Sequence, residues 1–395
     1  MTAVAYVPFG RDSWRDPFPT YRRLRDEDPV HWSEAGGCFV LSRFDDVFTA
    51  ARDTETYSSA QGLTFQNELE ELGLAPTIVM MDPPDHTRFR RAVSRGFTPR
   101  EVQTLEPAIR AFVVEHVERL RAAGTGDFVA GVARPLPCFV VADYLGVSEA
   151  DRAQFEGWTQ SIVQAGAGGH GESTGDAIAG LYGYFTEAIE RRRAQPGDDM
   201  ISTLVQADMA GEPLGVEEIL GYAFVMIAGG NDTATGLLAG AAELLSENPD
   251  QRRRLIDDPS LIPGAVDEIL RLTSPVQGLC RVTRRDVTVR PVDREAVDLP
   301  MGTRVLLCYG AANRDPREFG PDADEFDAGR SIKRLLTFSS GAHFCLGASV
   351  ARLQGRVVIE ELLRRCPDFS VDPDAGTFAD GAFTRRYDTL PFRAA

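Results

Sequence analysis

Hydrophobic positions recur at the three-to-four-residue spacing of helices through most of residues 85–272. Within that region residues 216–248 are apolar nearly all round, which predicts a buried central helix. Towards both ends the pattern shortens to alternation, at residues 30–41, 287–299 and 303–307, and predicts short strands. Pro300-Met301-Gly302 reads as the turn between two of these strands. A further amphipathic run, Ala348 to Arg365, predicts another helix, and the C-terminal segment adds a last small β region. No linker, repeat or low-complexity stretch divides the chain. The expectation is a mainly α fold with a small β portion, α+β, in a single domain over residues 1–395 with its α-rich body at about 85–272.

Composition narrows the function. Hydrophobic residues at 43% beside 26% charged describe an ordinary globular protein. The net charge of −17 argues against nucleic acid as a partner, because phosphate would be repelled. The N-terminal stretch is polar and interrupted by Pro8, so neither a signal peptide nor a membrane anchor is expected and the chain reads as cytoplasmic. The run at 219–230 is too short to span a bilayer. Six cysteines lie far apart with no Cys-x-x-Cys pair, which disfavours zinc and a disulfide framework. A single lysine, Lys333, among 42 basic residues fits codon usage in a GC-rich bacterial genome.

The chemistry concentrates in one loop, Phe338-Ser-Ser-Gly341-Ala-His343-Phe-Cys345-Leu-Gly347, which opens onto the amphipathic run. A cysteine there meets unpaired N–H groups and the positive end of a helix dipole, an arrangement expected to favour the thiolate. Gly341 and Gly347 let the backbone turn tightly and lie flat against a broad ligand. A lone cysteine is more often a buried structural residue, but the residues around this one argue for a sulfur presented outward to a metal.

The spacing Phe-x-x-Gly-x-x-x-Cys-x-Gly resembles the haem-binding loop of the cytochrome P450 family, soluble bacterial type, and the resemblance spans nearly the whole chain. It implies a triangular prism around a buried haem b, with Cys345 as the iron ligand and Phe338 packed beside the sulfur. His343 matches a histidine that meets a haem propionate. His86 and Arg90, in Asp82-Pro-Pro-Asp-His86-Thr-Arg-Phe-Arg90, and Arg281 match further propionate partners. Ser339 departs from the pattern, since bacterial members often carry glycine there; serine is small, and tolerance is expected.

The predicted central helix carries Ala228-Gly-Gly-Asn-Asp232-Thr233. Two adjacent glycines cost a helix about 1 kcal/mol each, and burying a carboxylate costs more, so something is gained at this point. Glycine-mediated packing with an internally satisfied aspartate is the alternative. The resemblance makes Asp232-Thr233 the acid-alcohol pair over the distal side of the haem: Thr233 holds a water against bound oxygen and Asp232 relays protons from solvent. Where the family usually has Thr or Ser next, this chain has Ala234, and Thr235 one position on is expected to keep the relay intact. Gly229 and Gly230 are expected to let the helix distort and admit oxygen.

Glu268-Ile-Leu-Arg271 taken alone reads as an exposed helix pair, but it matches the family's structural Glu-x-x-Arg, with Arg330 as third partner, and is expected to hold the cysteine loop. The other histidines, His31, His116 and His170, lack such context. No flavin, nicotinamide or iron–sulfur signature is present, so electrons are expected from a separate ferredoxin and ferredoxin reductase, docked on a basic patch of Arg88, Arg91, Arg352 and Arg356. The resemblance implies a substrate pocket formed by residues 58–80, 160–184, 223–229, 276–279 and 383–386. These segments supply Phe65, Leu72, Leu74, Ile78, Val79, Met80, Val276 and Leu279, and so an apolar or amphipathic small molecule is expected. The five glycines of residues 165–175 read as a lid connection. A monomeric monooxygenase results; a peroxide-driven peroxygenase and a silent haem-binding scaffold are the alternatives.

Overall fold

The computed structural model describes residues 4, 6–7, 11–65, 77–166, 173–209, 212–381 and 383–394. The central helix runs Val216–Glu247, and its last turn closes where the Asn248 amide bonds the Leu244 carbonyl. At its start Glu218 folds back to accept from the Gly215 amide at 2.7 Å. Helices Pro135–Tyr144, Ile262–Thr273 and Ala348–Arg365 pack around it. Leu237, Leu238, Val266, Ile269, Val357 and Leu362 are fully buried where they meet. Each such side chain is worth about 1.5–3 kcal/mol on leaving water, so this junction fixes the helix that carries the site.

The expected strands separate into a sheet and a ribbon. The five-stranded sheet runs in the order Val30–Ser33, Cys38–Leu41, Arg304–Leu307, Leu279–Thr283, Tyr57–Ser58. Cys38–Leu41 and Arg304–Leu307 are parallel, and the other neighbours are antiparallel. The turn at Pro300-Met301-Gly302, with Gly302 at φ 83°, joins two strands that do not pair with each other: Val297–Leu299 pairs with Val287–Val289 instead. Alternation gives no sign of Leu279–Thr283, because this inner strand has neighbours on both edges and four of its five residues are buried. At the C-terminus Pro391–Arg393 pairs with Ser370–Val371 and with Thr125–Asp127, tying the last β region to the helical body.

Glu268 and Arg271 lie inside the protein at zero exposure. Arg271 donates to both carboxylate oxygens at 2.7 and 2.8 Å, and Arg330 Nε adds a third bond at 3.0 Å. Arg271 Nη1 reaches on to the Asn313 carbonyl at 2.9 Å. Asn313 Nδ2 donates to Thr337 Oγ1 at 2.9 Å, and its Oδ1 accepts from the Leu336 amide at 2.9 Å. Thr337 precedes Phe338, whose carbonyl accepts the Cys345 amide at 2.9 Å. The three expected residues thus hold the cysteine loop through one intermediary, Asn313. Glu268→Ala strands a buried guanidinium charge and is expected to lose about 3–5 kcal/mol in a urea titration, far more than an exposed helix pair would.

Candidate active site

A cavity of about 280 Å³ gathers most of the expected groups. Phe338, Cys345 and Gly347 form one wall, and Gly229, Gly230 and Thr233 of the central helix form another. His86, Arg90 and His343 also line it, whereas Asp232 and Arg281 do not. Cys345 is exposed and lines this space. Burial raises its pKa, and this outweighs the Gly347 and Ala348 amides and the charges of Arg90 and Arg352, which lower it. The direction is opposite to that expected from the helix end alone.

The loop geometry explains its residues unevenly. Gly341 takes φ 72°, and a Cβ there would come within 3.1 Å of the Arg52 Cα. Gly347 has an ordinary φ of −79°, so its freedom of conformation is not used. A Cβ on Gly347 would meet only the Cys345 sulfur, at 3.9 Å, which leaves the rest of its face to a ligand. Ser339 adopts φ 58°, so the issue at that position is handedness rather than size. The left-handed backbone costs a serine roughly 1–2 kcal/mol, and a hydrogen bond to Ser339 Oγ from Tyr309 Oη at 3.1 Å helps offset it.

His86, Arg90, Arg281 and His343 converge with little opposing charge. The His86 and His343 rings lie 4.2 Å apart, and His86 Nδ1 is buried with no partner among the described residues. Burial, then Arg281, His86 and Arg90, push His343 down to about 3, so it stays neutral. Burial and Arg90 lower His86, and Asp82 alone pulls the other way. Asp82 is itself engaged by the Ser58 hydroxyl and the Ser59 amide. Arg90 bonds the carbonyls of Ala342 and Phe344, on either side of His343, and so clamps the cysteine loop. Arg281 sits on strand Leu279–Thr283 with its guanidinium on the Cys280 carbonyl at 2.7 Å.

The central helix divides the acid-alcohol pair between two faces. Thr233 faces the cavity, where its hydroxyl donates to the Gly229 carbonyl at 2.7 Å. Asp232 faces the other way, into a pocket of about 30 Å³ shared with Asn231, Thr235 and Arg386, and pairs with Arg386 at 2.7 Å. Burial raises the Asp232 carboxyl to about 6 against the pull of Arg386. Thr235 bonds the carbonyls of Ala133 and Asn231 and lies beside Asp232 rather than at the cavity, which Ala234 lines. The helix also runs unbroken through Gly229 and Gly230, without the expected distortion.

Other expectations are revised. Ile78, Val79, Val276 and Leu279 line the cavity, but Phe65 packs in a separate core and Met80 stays outside the lining. Leu72, Leu74, His170 and most of the lid at 165–175 lie outside the described residues. Neither 160–184 nor 383–386 contributes a described residue to the lining. Phe97, Val140, Tyr144, Tyr222 and Met226 do, and sequence reasoning missed all but Met226, which lies in segment 223–229. The basic patch is reduced: Arg352 pairs with Asp267 at 2.7 Å, Arg356 with Glu360 at 3.0 Å, and Arg88 with Asp85 at 3.3 Å. Arg91 remains exposed, without an ion pair among the described residues. None of the described helices is long and apolar enough to cross a membrane.

Residues 163–377 match the family model for cytochrome P450. The chain is 54% identical over 394 residues to cytochrome P450 130 of Mycobacterium tuberculosis, covering 97% of this chain and 96% of that one. This chain belongs to the cytochrome P450 family. It is also 36% identical to cytochrome P450 monooxygenase PikC of Streptomyces venezuelae, over 93% of this chain and 88% of the relative. Vitamin D(3) 25-hydroxylase of Pseudonocardia autotrophica is 34% identical, over 97% and 95%. Among solved structures, CYP109Q5 of Chondromyces apiculatus superposes with a TM-score of 0.90 at 33% identity, over 99% and 98% of the two chains. CYP109E1 of Bacillus megaterium in complex with testosterone gives 0.85 at 30%, over 96% and 99%.

The P450 is therefore an oxidoreductase, a monooxygenase with haem b as cofactor. The site fits that group on its own terms: a cysteine sulfur opens onto the cavity, a glycine face is left free beside it, and an orphaned His86 nitrogen stands in a cluster rich in positive charge. The residue that tunes Asp232, Arg386, lies far away in the sequence, and no local signal points to it. Arg386→Ala removes the charge that opposes burial, so Asp232 is expected to titrate above its present value of about 6. Difference infrared spectroscopy checks this: the protonated-carboxyl band of Asp232 should persist to higher pH in the variant.

Proposed function

We propose that this P450 takes electrons from a separate ferredoxin and ferredoxin reductase and hydroxylates or epoxidises an elongated, largely apolar small molecule in the cytoplasm. The chain acts as a single catalytic unit. The observation that carries this reading is the shared cavity, where Cys345 and Thr233 stand among Val79, Val140, Val225, Val276 and Leu279. Haem b, bound through Cys345, supplies dioxygen activation and oxygen-atom transfer. His86, Arg90, His343 and Arg281 would hold its propionates: the arginines supply charge, and the histidines supply ring nitrogens as hydrogen-bond partners. Phe338 shields the sulfur and is itself covered by the Arg352 guanidinium at 4.7 Å.

Thr233 Oγ1 handles protons at the cavity. When its O–H turns from the Gly229 carbonyl it can hold a water beside the reacting oxygen. Asp232, with a carboxyl near 6, exchanges protons readily around neutrality and collects them on the Arg386 side, away from the substrate. The presence of both residues supports oxygen and ferredoxin over peroxide as the working oxidant system. Relatives named for a testosterone complex and for vitamin D(3) hydroxylation are in keeping with a substrate of that length.

Two measurements test the reading. The reduced protein with carbon monoxide should show the strongly red-shifted Soret band of thiolate-bound haem, and turnover should require ferredoxin, reductase and NAD(P)H. A band at the ordinary haem-protein position, or product formed only with peroxide, would overturn it. Thr233→Ala should bind haem and substrate normally yet release peroxide in place of most product; unchanged coupling would remove Thr233 from the proton path.

A further inference from the structure

Arg386 is shared between two carboxylates. Its Nε pairs with Asp232 Oδ1 at 2.7 Å, and its Nη1 pairs with Asp388 Oδ1. The guanidinium side chain is only 6% exposed, whereas the Asp388 side chain is 39% exposed. Arg134 grips Asp388 as well, with Nη2 2.7 Å from the Asp388 carbonyl and 3.8 Å from its Oδ1. A row of alternating charges, Arg134, Asp388, Arg386 and Asp232, thus runs from the surface to the central helix. Its backbone is anchored: Asp388 lies in strand Tyr387–Thr389, which pairs with Thr377–Phe378. The Arg386 carbonyl accepts the Ala379 amide at 3.0 Å.

The second carboxylate answers a problem that a single ion pair would create. A guanidinium buried this deeply is costly to leave without a counter-ion. If Asp232 were its sole partner, each proton taken up by Asp232 would leave Arg386 in that state, and the pair would resist protonation. Asp388 stays beside Arg386 throughout, so Asp232 can gain and lose a proton readily. The pocket of about 30 Å³ next to Asp232 has room for a water, and its lining includes the exposed residues Glu156 and Gln160.

The other groups around Asp232 do not take over the part of Asp388. Arg134 adds positive charge, and burial pushes the thiol of Cys138, on helix Pro135–Tyr144, up to about 11. Glu156, on helix Arg152–Gly166, accepts from Gln160 at 3.3 Å. Among the described residues Arg386 forms ion pairs with Asp232 and Asp388 only.

We propose that Asp388 is a positioning residue for proton delivery: it holds and neutralises Arg386 in both states of Asp232, so that Asp232 can load a proton from its pocket and release it for use at Thr233. The step moves one proton and no electrons. Water gives the proton to the Asp232 carboxylate, and the carboxylate is restored when the proton leaves. Asp388 does not line the substrate cavity and acts only through Arg386. Burial raises Asp232 to about 6, Arg386 opposes the rise and the charge of Asp388 adds to it, which agrees in sign with this role. This deepens the monooxygenase reading and rests on its use of Asp232 as proton carrier.

The test compares wild-type holoenzyme with Asp388→Asn, which keeps the shape and removes the charge, and with Asp388→Glu, which keeps the charge. The protonated-carboxyl infrared band of Asp232, assigned by its loss in Asp232→Asn, is followed against pH. Product formation with ferredoxin, reductase and NAD(P)H is followed over the same range. In Asp388→Asn, Asp232 should ionise about one pH unit lower, leaving roughly tenfold less of its acid form near neutrality. The kcat profile should move down by the same interval while KM is unchanged, because Asp388 lies off the substrate cavity. Asp388→Glu should keep the wild-type midpoint. An unmoved or raised midpoint in Asp388→Asn, the same fall in Asp388→Glu, or a midpoint that moves without the kcat profile would overturn the proposal. The infrared titration needs no turnover, so its failure is distinguishable from failure of the monooxygenase reading, which a missing wild-type carbon monoxide band would reveal.

Discussion

The cysteine loop has its place because a fully buried ion pair holds the chain segments around it. Glu268 and Arg271 are removed from water completely, and they pair with each other while Glu268 also pairs with Arg330. Replacing the whole set with apolar side chains would not weaken the protein much, by the general behaviour of buried pairs; removing one member would. What the set contributes is position. A guanidinium has five donors in one plane, and Arg271 uses those not spent on Glu268 to fix the carbonyls of Asn313, Ala323 and Glu325. Through Asn313 that order passes to Leu336 and Thr337, and then to the strained turn at Ser339 and the sulfur of Cys345.

The second constraint is that one helix serves two compartments. Its cavity face carries Tyr222, Met226, Gly229 and Thr233, and its opposite face carries Asn231, Asp232 and Thr235. Adjacent residues on a helix point about 100° apart, so an acid and an alcohol next to each other necessarily look into different surroundings. The acid gains a buried counter-ion and a carboxyl near neutrality, while the alcohol stays beside the substrate. The two polar groups of the step are thereby set in separate compartments by the turn of a single helix.

Much of this was legible in the chain because it is local. The spacing from Phe338 to Gly347 places a cysteine, two glycines and a helix start within one loop, and that arrangement depends on neighbouring residues only. The central helix and its Asp232-Thr233 step were visible in the same way. The readings that failed concern partners. Thr235 lies with Asp232 and not at the cavity, Arg352 and Arg356 are held by Asp267 and Glu360, and at Ser339 the backbone angle matters more than size.

The sequence by itself determined the mainly α architecture and a loop in which Phe338, His343, Cys345 and Gly347 line one cavity, since spacing along a helix or loop dictates which side chains share a face. Only the tertiary structure decided which face met which neighbour. It set Arg386 against Asp232 and left His86 Nδ1 without a protein partner among the described residues. The physical reason is that desolvation and ion pairing depend on atoms a few ångströms away in space, and in a folded chain most of those come from distant sequence.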